Sequence, residues 1–171
     1  GVFITEGACS KPESIKENDF MAIYMNYNDK KIKGNVTAKG YEDWIDISSF
    51  QFGVGRGISM EVGGMASREA TRPSISEIAL SKAMDAASGG LFKESVSGSE
   101  GVKVEIHLVQ TGAAEIQKFA VYELEGCMVS SYSVSGSEGG PPFENISLSF
   151  AKVMMDLSNA DKDNKNATSM K

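Results

Sequence analysis

Apolar and polar residues alternate along most of this chain, which predicts a β-rich fold in which strand side chains point by turns to the core and to solvent. Residues 22–27 read as a first strand, closed by the turn-prone Asn28 and Asp29 and followed by a polar loop over 30–40. A second strand over 44–54 changes parity: Ile45 and Ile47 carry the apolar face early, Phe50, Phe52 and Val54 later. That shift predicts a β-bulge near Ser48 and Ser49, which would bend the strand as a barrel wall requires. Glycine-rich residues 53–64 predict a flexible or hairpin-like extended loop, and Pro73 opens another strand over 74–82 with Ile78 and Leu80 on one face. Ser88 is expected to cap a short helix bearing Leu91, Phe92 and Val96 and ended by Gly98, its narrow apolar stripe suited to lying on a sheet. A meander of four antiparallel strands over 102–110, 116–124, 127–134 and 145–157 follows, and the polar residues from Ser158 read as a loop or disordered tail.

The fold class expected is therefore mainly β, an antiparallel β-barrel with one short α-helix. With 171 residues the chain is the size of one domain. Residues 1–20 differ in texture and read as a non-native or extension segment, 21–157 as the barrel domain and 158–171 as a polar tail. Eighteen glycines suit a protein rich in tight turns. The formal net charge of −6 leaves no basic surface of the size that phosphate neutralisation demands, so nucleic-acid binding is not expected. A polybasic membrane-binding segment is missing too, so stable membrane association is not expected. Two cysteines, Cys9 and Cys127, are too few for a disulfide framework, and with His107 the single histidine no zinc spacing exists. Residues 1–20 hold two lysines and four acids and no apolar run of signal-peptide length, so export would use another route.

Catalytic chemistry finds no constellation. GVGRG from Gly53 has the glycines of a nucleotide loop but leads into ISMEVGG, which has no helical period, so the extended-loop reading is preferred. His107 lies opposite the Val104, Ile106 and Leu108 face and reads as an outward or lumen-facing polar residue; Cys127, starting a strand after Gly126, reads as a small buried hydrophobe. Asp161, Asp163, Asn164 and Asn166 lack the glycine and terminal glutamate of a calcium loop, the sequons at Asn35, Asn145 and Asn166 read as compositional accidents, and no G-x-S-x-G elbow occurs. No catalytic, cofactor or metal residues are assigned.

The blocks MAIYM, EDWIDISSFQFG, SISEIALSKAMDAAS running into the short helix, EGCMVSSYSVSGS taken as a hairpin, and ENISLSFAKV together resemble the haemolysin-coregulated protein family, Hcp, of bacterial type VI secretion systems, over Met21 to about Leu157. The resemblance implies a β-barrel with a flanking helix, a homohexameric ring, and rings stacked into a hollow tube that is propelled from the cell. It implies no catalytic residues. The partners implied are other copies of the chain, type VI spike and sheath proteins, and small effector proteins in the lumen; the location implied is the bacterial cytoplasm before firing and the exterior afterwards. Residues 1–20 match nothing in the family, and relatives usually continue past the position of Lys171 through a short glycine-aromatic segment. The rivals are a monomeric ligand-binding barrel, which would show an enlarged apolar cavity, and a small secreted hydrolase, which would need a triad or carboxylate pair. Mixed-face apolar residues Phe119, Ala120, Val121 and Tyr122 suit a strand covered on both sides, as ring assembly would provide.

Two surfaces are singled out. The loop residues Gly55, Arg56, Gly57, Ile58, Ser59, Met60 and Glu61 are expected to project from the barrel and contact a neighbouring ring, since a lone subunit has little reason to expose them. Phe50 and Phe52 should point into the core, so Gln51 between them takes the opposite face and becomes the candidate contact to cargo if that face lines the lumen.

Overall fold

The computed structural model describes residues 20–60, 68–70, 72–98, 100–111, 116–159 and 168–170. Its strands are β1 (Phe20–Tyr27), β2 (Ile45–Ile47), β3 (Ser49–Gln51), β4 (Val54–Gly55), β5 (Ile58–Met60), β6 (Arg68–Ala70), β7 (Ser74–Ile75), β8 (Ile78–Ala83), β9 (Val102–Thr111), β10 (Gln117–Ser135), β11 (Phe143–Ser149), β12 (Lys152–Asn159) and β13 (Thr168–Met170), with one helix, α1 (Ser88–Ser97). Nine strands join into one antiparallel system in the order β2-β1-β9-β10-β11-β8-β3, with β12 and β13 branching from β10.

β10 is the element on which two sheets meet. Its residues 120–124 lie between β9 and β12, whereas residues 128–135 pair with β11. The ladder to β9 shifts register between Leu124 and Cys127, and Gly126 between them has φ of 62°. A side chain there would be strained by the left-handed backbone, and its Cβ would lie 2.9 Å from Ala151 Cβ. The sequence expectation of two strands divided at Glu125 and Gly126, and of a hairpin in EGCMVSSYSVSGS, is thus corrected: the glycine makes a bulge that bends one continuous strand. Conversely, residues 145–157 are not one strand. They divide between β11 and β12 because the two segments serve different halves of β10, and the Ala151 N–H donates to Glu125 O at 3.0 Å where they part.

The second corner is at Ser48. β2 pairs with β1 and β3 pairs with β8, so one run of chain leaves one end of the strand order and enters the other, its Ser48 N–H donating to Ser81 O at 2.8 Å. The barrel-like closure rests on this covalent corner rather than on a ladder between the end strands. The parity switch therefore marks a change of partner sheet and not a bulge in one strand.

Inside, Met25, Ile45, Ile78, Val104, Ile106, Leu124, Cys127 and Leu148 are fully buried, and Leu91 and Ala87 of the helical segment close over them. Each such aliphatic side chain contributes about 1.5–3 kcal/mol relative to exposure. Of the predicted helical stripe only Leu91 enters the core; Phe92 and Val96 are exposed, with the Phe92 ring edge-on to Tyr132 at 5.6 Å. Ser88 is the first helical residue and not the cap: Ala87 occupies the cap position without a side-chain bond, the Ala87 N–H donates to Asp85 Oδ1, and the Ser88 hydroxyl accepts the Asp85 N–H. Gly98 ends the helix as expected, its N–H donating to Glu94 O. In the stretch read as a polar tail, Ser158 and Asn159 continue β12 and pair with β13. Cys9, Glu61 and the Asp161, Asp163, Asn164 and Asn166 group lie outside the described residues.

Candidate assembly surfaces

Residues 53–60, 68–70 and 72–76 build an extension of the fold. At its root the Gly53 N–H donates to Ser76 Oγ at 3.0 Å and the Ser76 N–H to Gly53 O at 2.9 Å. β4 then pairs with β7, and β5 with β6, as two separate two-stranded ladders that join no other strand among the described residues. The described part of the glycine-rich stretch, residues 53–60, is therefore one arm of a hairpin, and Gly55, Arg56, Gly57, Ile58, Ser59 and Met60 all belong to it. Val54 and Ile75 sit directly opposite each other, 60% and 52% exposed. Such an apolar cross-strand pair would bury its area gainfully only against another surface.

Gln51 is exposed, while Phe50 and Phe52 pack against the core around Tyr122, with ring centroids 4.8 and 6.0 Å from it. Register extends this alternation across four strands. Ser49, Ser81, Asn145 and Ser133 form one row, and Gln51, Ala79, Ser147 and Ser131 the next. Neither row carries a charge, and the Ser49 and Ser81 hydroxyls bond to each other. Beside Gln51 an open cleft of about 550 Å³ is walled by Gly53, Val54, Gly55, Ser74, Ser76 and Glu77.

Two internal clusters were not foreseen. Lys82 and Glu144, cross-strand partners on β8 and β11, are both fully buried. Lys82 Nζ donates to Glu144 Oε2 at 2.7 Å, to Asp85 Oδ1 at 2.7 Å and to Ala83 O at 2.9 Å, and the Tyr132 hydroxyl donates to the other oxygen of Glu144. Burial pushes the Glu144 carboxyl up, but the bonds from Lys82, Ser88 and Tyr132 outweigh it and hold the group below the usual carboxylate range. Burial, and then the bond to Glu144, push the Tyr132 phenol up to about 12. The signal was present in the alternation Ile78, Leu80, Lys82, which puts the lysine on the core face.

His107 is the second cluster and corrects the expectation of an outward or lumen-facing residue. It does face away from Val104 and Ile106, but the loop following β1 folds over that face and buries it beneath Tyr41 and Trp44. Its Nδ1 is 3.2 Å from the Tyr41 hydroxyl, and its ring centroid is 4.7 Å from that of Trp44. Burial, with a smaller effect of the Lys118 charge, lowers its pKa to about 4. Cys127 is free and buried, and burial pushes its thiol up to about 12, so it is an inert core residue. Among the described residues no group of histidine, cysteine and carboxylate side chains is arranged to hold a metal ion, and no helix is long and apolar enough to cross a membrane.

What the fold presents is thus a bent two-sheet body, a self-paired hairpin and exposed apolar side chains. A family model described as "Type VI secretion system effector, Hcp" matches residues 24–157. The chain belongs to the Hcp family. Among solved structures, the chain is similar to one described as a type six secretion system protein, with 26% identity and a TM-score of 0.80 over 89% of this chain and 93% of that one. Hcp1 from Salmonella typhimurium is 19% identical, with a TM-score of 0.67 over 87% and 91% of the two chains. The secreted protein Hcp3 from Pseudomonas aeruginosa is 17% identical, with a TM-score of 0.60 over 88% and 96%. These two likenesses speak for the fold alone. No curated protein sequence matches the chain. The mainly β Hcp fold with its single helix agrees with the expectation from sequence, and Hcp membership makes this a type VI secretion tube protein.

Proposed function

We propose that this Hcp protein assembles as a homohexameric ring, that rings stack into the hollow inner tube of the secretion apparatus, and that the tube carries small effectors and is itself exported. Its work is structural and needs no catalysis. It starts in the bacterial cytoplasm, engages sheath and spike proteins, and leaves the cell with its cargo. The observation that carries this reading is the opposed, exposed pair Val54 and Ile75 on a hairpin that, among the described residues, pairs with no other strand. A cyclic ring uses one heterologous contact repeated to closure, which leaves its two flat ends free to meet other rings. The hairpin, through Gly55, Arg56, Gly57, Ile58, Ser59, Met60 and Glu61, is assigned to that ring-to-ring contact. The Gln51 row is assigned to the lumen, where a charge-free wall of amides and hydroxyls gives cargo hydrogen bonds without strong adhesion.

The test replaces residues 58–69 by a short glycine-serine link and measures mass by light scattering and tubes by electron microscopy. Rings without tubes are expected. Unchanged tubes would refute the stacking role, and a monomer at every concentration for the intact chain would refute the ring. Gln51→Arg should leave rings intact and reduce effector recovered by co-purification; wild-type recovery would remove Gln51 from the lumen.

A further inference from the structure

On the face of the sheet away from the main core lies an open cleft of about 540 Å³ lined by Lys39, Gly40, Tyr41, Trp44, His107, Ile116 and Lys118. Its volume is in the range of small-molecule sites. The floor is a fixed aromatic group: Tyr41 meets Trp44 edge-on at 4.9 Å and His107 edge-on at 5.5 Å, and all three rings are over nine-tenths buried. Two ammonium groups reach the rim from different elements, Lys39 from the loop after β1 and Lys118 from β10. Among the described residues neither makes an ion pair, although Lys33, Lys82, Lys103 and Lys152 all do. Among the described residues no carboxylate lines the cleft. In a protein of net charge −6, an aromatic floor beneath two lysines that make no ion pair among the described residues is a local concentration of positive charge.

We propose that this cleft is a binding site for a carboxylate carried on an aromatic or branched apolar body, whether a free acid or the last residue of a protein chain. The rings and Ile116 receive the body, as aromatic side chains stack or meet edge-on. The lysines take the carboxylate, and the Tyr41 hydroxyl and neutral imidazole supply directional bonds at the floor. No arginine fork lines the cleft, so recognition is of one compact charge rather than the planar clamp common at phosphates.

Trp44 is the single tryptophan of the chain, so its fluorescence reports this cleft alone. The full chain is titrated with N-acetyl-L-phenylalanine and, separately, with its carboxamide. The acid should shift Trp44 emission saturably and the amide should not. Lys39→Gln with Lys118→Gln, both exposed positions, should weaken the acid roughly tenfold while circular dichroism stays unchanged. Glycyl-glycyl-phenylalanine and its C-terminal amide form the second arm. Binding of the peptide acid more tightly than the free acid assigns the site to a protein terminus, and equal or weaker binding assigns it to a small acid; both uphold the site. Equal response to acid and amide, no response up to ~10 mM, an unaltered double variant, or equal competition by inorganic phosphate would overturn the assignment.

Discussion

Because His107 is the only histidine, its burial makes a clean prediction about pH. The imidazole is buried beneath Tyr41 and Trp44 and its pKa is lowered to about 4, against an ordinary 6.5 for the unfolded chain. Between those values the unfolded chain binds a proton that the folded chain refuses, so stability is full above 6.5 and is lost as pH falls toward 4. From pH 8 to pH 5 the unscreened loss is about 2 kcal/mol, and allowing for solvent in the open cleft beside the ring it is about 1–2 kcal/mol. Denaturant melts of the wild type and of His107→Gln at both pH values isolate this from other groups, since only the difference of differences is read. The wild type should lose about 1–2 kcal/mol more than the variant on acidification, and the single imidazole proton resonance should titrate well below 6.5. A resonance titrating at its ordinary value, with both proteins falling equally, would show that the ring is solvated and the reasoning wrong.

Replacing Glu144 by leucine leaves Lys82 in the core with its charge shared only with Asp85 and takes an acceptor from Tyr132; a stability loss of about 3–5 kcal/mol is expected by denaturant melt, and a loss below about 1 kcal/mol would show that water reaches the site. Since the Glu144 carboxyl is held below its ordinary value, its contribution is present above that value and disappears as pH drops through the lowered one. Gly126→Ala should cost about 1–2 kcal/mol, from the left-handed backbone and the 2.9 Å approach to Ala151, measured in the same way; a neutral outcome would mean that β10 can bend without its glycine.

Alternation made most of the body legible. Val104 and Ile106, Ile146 and Leu148, and Phe50 with Phe52 around Gln51 all take the faces their spacing implies, because period-2 geometry is local to a strand. What alternation does not encode is the identity of a strand's partner. Ser48 therefore read as a bulge although it is a passage between sheets, and Gly126 read as a turn between two strands although it is a bulge that bends one continuous strand. Burial supplied from outside a strand was equally invisible: His107 is covered by a loop some sixty residues earlier, from Tyr41 and Trp44, which no spacing within β9 could announce. Lys82 was the opposite case. Its core-facing position was readable, but lysine is so seldom buried that only its partner Glu144, sixty-two residues on, makes the placement sensible.

The sharing of β10 by both sheets also orders the birth of the molecule. β1 finds its partner β9 some eighty residues downstream, and β8, which pairs with β3 on one side, gains its other partner only when β11 lies beside residues 128–135. During synthesis neither sheet can be completed until β10 has left the ribosome, so the earlier ladders of β1 with β2 and β9 and of β3 with β8 must wait as separate fragments. Its completion should therefore come late and abruptly, both sheets forming on one newly delivered strand. Subunits would then reach their assembly partners either finished or unfolded, with little dwell in a half-built form whose strand edges could join the wrong copy.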